Sequence, residues 1–490
     1  MEVNTPDWVK DAVFYQIFPD RFAHDTEAFA QNGYPPKPSH LQPWGARPTR
    51  HGFMGGDLPG IINKLDYLTD LGVNAIYLNP IFASASNHRY HAYDYYQIDP
   101  ILGGNKAFYE FLYAAHDHGI RVVLDGVFNH ASRGFFQFHH LLECGAESPY
   151  VDWFRVHKWP LNAYDPLAKE LNYDGWWGNA ALPEFNTDTP DVREFLWNVA
   201  TYWLEQGIDG WRLDVPNEID DDAFWQEFRR RVKAINPEAY IVGELWHNAE
   251  RWLQGDQFDA QMDYNFTRAA FGFFAADNMD QRDTPGMGYG LMPTLNGREF
   301  ALELDRLTNH LYHPQVVQAQ LTMLGSHDTP RLLTIANNDK TAVRLMFLCQ
   351  MTYPGAPNIY YGDEIGMVGH ADPDCRRAFP WHDESVWDRE LLADVRAYVQ
   401  LRHKIPALRR GTFEVLYADE DVVVYQRRYE AKDSTSTAVI AFNRGTNPQT
   451  IICPPGFSGQ LPEKFASPSN PLLAGRRYVI NGRTARIWAD

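Results

Sequence analysis

Short apolar runs alternate with amphipathic helical stretches across the first four hundred of 490 residues, and this alternation restricts the fold more than any other property of the chain. Eight runs read as strands: 12–19 (AVFYQIFP), 73–80 (VNAIYLNP), 121–128 (RVVLDGVF), 208–215 (IDGWRLDV), 240–246 (YIVGELW), 258–264 (FDAQMDY), 321–326 (LTMLGS) and 358–362 (NIYYG). Most are apolar through the middle, as strands covered on both faces must be. Helices are expected at 108–119, 190–207, 221–235 and 388–403. For the second, Thr189 reads as the N-cap, Pro190 as the first helical residue and Gly207 as the stop. Eight strands separated by helices point to an α/β fold, a (β/α)8 TIM barrel, with a doubly wound open sheet as the rival. Polar residues gather at the C-terminal strand ends (Asn79, Asn129, Asp214, Glu244, His327, Asp363), the rim where a barrel builds its active site.

Two segments exceed a minimal barrel. Residues 130–185 are long, aromatic and irregular and read as a small domain inserted after strand three. From 405 to 490 the pattern is all-β, with strands at 412–417, 422–428, 437–442, 449–453 and 485–489, so a C-terminal β-sandwich is expected. The catalytic barrel is then 1–129 together with 186–404.

Lys and Arg total 44 against 63 Asp and Glu, a net charge of −19 without any basic block. Nucleic acid and anionic membrane are therefore poor partners, since binding phosphate needs the opposite field. No run of about 18 apolar residues exists, and MEVNTPDWVKDAVFYQ has no basic stretch followed by an apolar one. Cys144, Cys349, Cys375 and Cys453 are scattered, as reduced structural thiols are, so a cytoplasmic location is expected. Aromatics reach 14 %, which suits sugar recognition, although filling the core is their ordinary work.

Alternation along a strand puts Arg212 and Asp214 on one face, and a carboxylate beside a guanidinium is held ionised and aimed, as a nucleophile must be. A purely structural Arg–Asp pair would look the same. Glu244 ends a strand among apolar neighbours, where desolvation would raise its pKa as a general acid requires; a helix cap is the alternative. Asp328 follows His327 and could equally be an N-cap. Jointly the three read as one site: retaining cleavage of a glycosidic bond needs two carboxyls about 5–5.5 Å apart, and a third can steady charge on the sugar ring. In DGVFNH (125–130), Asp125 and Asn129 are expected on one strand face, with His130 at the rim. Strand one, FYQIF, lacks the H-x-H pair of metal-dependent barrel hydrolases, which argues against zinc. Trp176 and Trp177 in DGWWGN could be a sugar platform or simple packing.

DGVFNH (125–130), GWRLDV (210–215), GELW (243–246) and SHDTPR (326–331) resemble, in order, the four main conserved stretches of the α-amylase family. GVNAIYLNPIF, LPEFN (182–186) and GAPNIYYGDE resemble its secondary ones. Within it, WRLDVPNE, the stretch from GELWHNAE to MDYNF and DPDCRR (372–377) are similar to the neopullulanase, cyclomaltodextrinase and maltogenic amylase subgroup. The resemblance implies Asp214 as nucleophile, Glu244 as acid/base and Asp328 as transition-state stabiliser. It also implies substrate binding by Arg212, His130, His327, Tyr90, His88, Asp372, Arg376 and Trp246. The implied reaction is retaining hydrolysis of α-glucosidic bonds in malto-oligosaccharides, cyclodextrins, pullulan or branched α-glucans. A transglycosylase using the same residues is the alternative, and a non-catalytic sugar-binding relative a remote one.

Three departures bear on specificity. The barrel begins by about residue 13, without the N-terminal β-domain through which subgroup members wall in their cleft as dimers, so branched substrates and α-1,6 bonds are expected alongside α-1,4. The subgroup's calcium set persists only as Gly55 and Asp57, next to the oxygen-poor DRFAHDTEAFAQ (20–31), so calcium could bind there but no cofactor is required. LPEFN stands where the subgroup usually has MPKLN.

Overall fold

The computed structural model describes residues 3–286, 288–453, 460–464 and 471–490. Eight parallel strands close into a barrel in chain order: β1 Phe14–Ile17, β2 Ala75–Leu78, β3 Arg121–Gly126, β4 Gly210–Leu213, β5 Tyr240–Gly243, β6 Ala260–Asp263, β7 Leu321–Met323 and β8 Ala356–Tyr360. The open-sheet rival is thereby excluded. The strands are shorter than their apolar runs because the last residues of each run leave the ladder to form the rim. Asp214, Glu244 and Asn129 all lie past the ends of β4, β5 and β3. The backbone nevertheless keeps in step for one more bond, Asp214 N donating to Gly126 O (3.0 Å) and Glu244 N to Leu213 O (2.9 Å). That extra step fixes where both carboxyls stand.

Helix Pro190–Glu205 starts at the expected proline, and Gly207, at φ 104°, turns the chain into β4. Thr189 does not cap it: the hydroxyl donates instead to Asp152 O at 2.6 Å, tying the barrel to the preceding segment. Asp221 and Asp388 cap Asp222–Ile235 and Arg389–Lys404 through their side chains, satisfying orphan N–H groups.

Between β3 and helix Pro190–Glu205 the chain forms helix Phe136–Cys144, short 3-10 turns and isolated bridges, among them His130 with Glu184 and Gly175 with Pro183. Phe135, Phe138, Phe154 and Phe185 pack there into an aromatic core. In the C-terminal region a five-stranded antiparallel sheet (Thr412–Ala418, Val422–Glu430, Thr435–Asn443, Thr484–Ala489, Glu463–Lys464) faces the pair Gln449–Ile452 and Arg477–Ile480. Its residues alternate between two cores. Val422 and Val424 pack with Ile451 and Ile480, whereas Val423 and Tyr425 join the barrel's core. Tyr425 Oη and Thr352 Oγ1, 2.6 Å apart, link sheet and barrel.

Candidate active site

One guanidinium organises the rim. β3 and β4 pair in a register that sets Asp125 opposite Arg212. Arg212 Nη1 donates to Asp125 Oδ1 (2.8 Å) and Asp214 Oδ1 (2.9 Å), and Nη2 lies 3.0 Å from Glu244 Oε2, an ion-pair contact without hydrogen-bond alignment. Two of the expected catalytic carboxyls are thus held by one rigid fork, which fixes their separation. Glu244 has further donors: the backbone N–H of Val215 reaches Oε2 at 3.1 Å, and Trp246 Nε1 reaches Oε1 at 3.2 Å. Val215 adopts φ 35°, ψ 51°, a left-handed conformation rare for a β-branched residue. Such strain persists where the surroundings impose it, and here it accompanies the N–H that meets Glu244.

Arg212 meets Asp214 as strand alternation predicts, but the carboxyl stands just past the strand and is deeply buried. Asp214 lies after β4, and its carboxyl is pushed well above the usual range, first by burial, then by Glu244, Asp125 and Asp328, with Arg212 opposing. Asp125 is likewise raised by burial against Arg212. Asp328, on the far side of the site, is raised to about 7 by burial and by Glu244, against Arg376 and Arg212. Burial and mutual repulsion oppose ionisation of Asp125, Asp214 and Asp328, and Arg212 and Arg376 partly offset it.

A second network orients the histidines. Tyr77 Oη and Tyr90 Oη both donate to Asp125 Oδ2, at 2.7 and 2.8 Å. Gln16 Nε2 donates to His327 Nδ1 (3.0 Å), which leaves the proton on Nε2, 2.6 Å from Tyr90 Oη. The order Gln16, His327, Tyr90, Asp125 satisfies every donor, and burial keeps His327 neutral by lowering its pKa well below the usual value. The Tyr90 ring lies parallel to His327, 5.4 Å away at 6°, and His88 Nδ1 accepts from Tyr90 N at 3.2 Å. Burial lowers His130 to about 3. Its Nε2 lacks a well-formed hydrogen bond, although the Tyr90 backbone is close. Asn129 is not on the strand face with Asp125, because β3 ends at Gly126 and turns it toward His130.

Arg376 ties the last rim loop to the site. Nε donates to His327 O (2.8 Å), Nη2 to Asp328 Oδ1 (3.3 Å), and Nη1 lies 3.0 Å from Asp372 Oδ1. Trp246 stacks on Tyr264 at 3.7 Å and 12°, so its visible contact is with the Glu244 carboxyl. The structure therefore gathers Arg212, Asp214, Glu244, Asp328, Tyr90, His88, His327, Asp372, Arg376 and Trp246 into one connected rim. Gln16 and Tyr77 belong to it as well and escaped notice; the signal was a lone polar side chain inside FYQI and AIYL.

Gly55 and Asp57 do not fit a calcium ion. Lys37 Nζ lies 2.5 Å from Gly55 O and bonds Asp57 Oδ2, so an ammonium already occupies the point where the two oxygens converge. The remaining Asp57 contacts, Gly60 N at 2.6 Å and Asp25 N, are donors, whereas calcium takes six to eight oxygen ligands. Among the described residues, no group of three or more His, Cys, Asp and Glu is arranged to hold a metal.

The model of the alpha-amylase catalytic domain matches residues 16–400. Cyclomaltodextrinase of Geobacillus thermopakistaniensis (strain MAS1) is 44 % identical over 487 residues, 98 % of this chain and 76 % of the relative. Among solved structures, the debranching enzyme from Nostoc punctiforme is 46 % identical with a TM-score of 0.87, each chain covered by 100 %. Cyclic alpha-maltosyl-(1→6)-maltose hydrolase from Arthrobacter globiformis is 36 % identical with a TM-score of 0.86, again at 100 % of both chains. No helix among the described residues is long and apolar enough to cross a membrane.

Proposed function

Because this chain belongs to the alpha-amylase family of hydrolases, we propose that its rim cleaves α-glucosidic bonds with retention, taking α-1,6 branch points as well as α-1,4 links. The observation that carries the reading is the Arg212 fork holding Asp214 and Glu244 side by side. Asp214 attacks the anomeric carbon as Glu244 passes its proton to the leaving oxygen. The covalent β-glucosyl ester on Asp214 is then opened by water, which gives its proton to Glu244, and the α-anomer leaves. Asp328, hydrogen-bonded by Arg376, faces the ring as positive charge develops. Tyr90 supplies a flat wall for the sugar ring and is held in place by the neutral His327, whose Nε2–H it accepts. The α-1,6 half of the reading draws support from the debranching and maltosyl-(1→6)-maltose-cleaving relatives.

Lys37 takes the place of a calcium ion, so no metal is required in this reading. Four unpaired cysteines, three of them buried, suit a reducing cytoplasm.

The test is product analysis on a singly branched maltosyl-cyclodextrin, with the new reducing end read by NMR. Maltose plus intact ring means α-1,6 cleavage, and an opened ring still bearing its branch means α-1,4 cleavage. A fresh β-anomer would overturn the role of Asp214. Asp214→Asn should abolish turnover with the fold intact. Glu244→Gln should give a burst and then stall on a substrate with a good leaving group, whereas steady turnover would refute the acid/base role.

A further inference from the structure

An aromatic ladder leads out of the rim. His130, buried at its start, is parallel to Trp176 at 5.1 Å and 19°, and Trp176 is parallel to Trp177 at 4.7 Å and 18°. Trp177 ends the ladder in solvent with 83 % of its surface exposed. Its backbone is left-handed, φ 50°, and Gly178 follows at φ 70°. A bulky residue adopts that conformation only against a steric preference, usually to gain burial or a contact. Trp177 gains little burial, so the strain serves to set one indole face on Trp176 and leave the other flat and open.

The surroundings choose the ligand. His130 and Glu184 are bridged through their backbones, so the root of the ladder is fixed between the two ends of the inserted segment, just past β3. Burial raises the Glu184 carboxyl while Asn129 opposes, and Asp174 and Glu218 add like charge. A flat, open aromatic face suits the apolar face of a neutral sugar, and the carboxylates clustered about Glu184 beside the root of the ladder disfavour an anionic ligand.

We propose that the outward face of Trp177 is a binding platform for a glucosyl unit of the same α-glucan chain, remote from the bond being cut and reached only by long or branched substrates. The platform rests on the glucoside reading given above, because its ligand is the substrate of that site. Its continuity with His130 favours sugar over a second protein copy as occupant.

The full-length Asp214→Asn chain permits binding without turnover, and calorimetry with maltotriose and maltoheptaose reads the platform. Maltoheptaose should bind more tightly than maltotriose. Adding Trp177→Ala should weaken maltoheptaose about two- to tenfold, the range of one aromatic stacking contact, with maltotriose unmoved. Trp177→Phe keeps a flat face and should restore most of the loss, which a merely unfolded loop would not allow. An unchanged maltoheptaose affinity, or equal loss for both sugars, overturns the platform. A dimer that dissociates on Trp177→Ala with sugar affinities unchanged overturns it in favour of a second copy. If neither sugar binds the Asp214→Asn chain, the glucoside reading itself fails.

Discussion

Asp328→Asn should make the protein more stable at neutral pH while damaging its chemistry. In the fold the Asp328 carboxyl is raised from 3.8 to about 7, by burial and by repulsion from Glu244, with Arg376 and Arg212 only partly offsetting. A folded chain that holds this proton more tightly than the unfolded chain loses stability as pH rises from about 4 to about 7. Below that window the carboxyl is neutral in both states and costs nothing; above it the whole cost applies. Each pK unit is worth 1.36 kcal/mol, so the ceiling is about 4 kcal/mol. Asp328 keeps 29 % of its side chain open to water, which screens the charge, and about 2 kcal/mol is the working figure. Asparagine has no proton to lose. The stability gap between variant and wild type should therefore open by about 2 kcal/mol between pH 4 and pH 8. At roughly 2–4 °C per kcal/mol for a 150–250-residue unit, and less for a larger one, that is a few degrees. Circular dichroism melts at matched scan rates would read it. A gap that is constant with pH, or that opens toward acid, would refute the electrostatic account of the site.

Three further outcomes follow from other contacts. Chelation by EDTA should leave the melting temperature of the wild type unchanged, because Lys37 already neutralises Asp57; a fall on chelation would restore calcium to that site. Lys37→Met should cost about 3–5 kcal/mol by leaving the buried Asp57 charge unpaired, measured by denaturant unfolding, and a neutral result would remove the ammonium's structural role. Trp246→Phe keeps the stack on Tyr264 but loses the N–H to Glu244, so kcat should fall roughly three- to tenfold with KM steady. A rise in KM alone would make Trp246 a sugar contact instead.

Much of this architecture was legible in one dimension. A strand covered on both faces must be apolar throughout, so VVL, AIYL and YIVG announce buried parallel strands whatever surrounds them, and the helices between them follow from period and caps. The candidate carboxyls were visible because charged residues at the ends of several such runs, taken jointly, are hard to explain by packing or capping alone. Residues seen as single polar interruptions, Gln16 and Tyr77, carried too weak a signal: one polar side chain in a strand is compatible with any satisfied core position until its partners are known.

What the sequence determined by itself is therefore the local pattern: which segments are strands, which are helices, and which residue types stand at their ends. The charge state of the site was decided only by the tertiary structure. Arg212 next to Asp214 favours an ionised carboxylate, yet barrel closure buries that pair and brings Asp125, Glu244 and Asp328 close enough to oppose it. Electrostatic energy depends on distances between groups far apart in the chain and on the solvent between them, and neither quantity is written in the spacing of a motif. The same holds for Lys37, whose ammonium meets Gly55 and Asp57 only because the loop after β1 folds back over the helix that Asp57 caps.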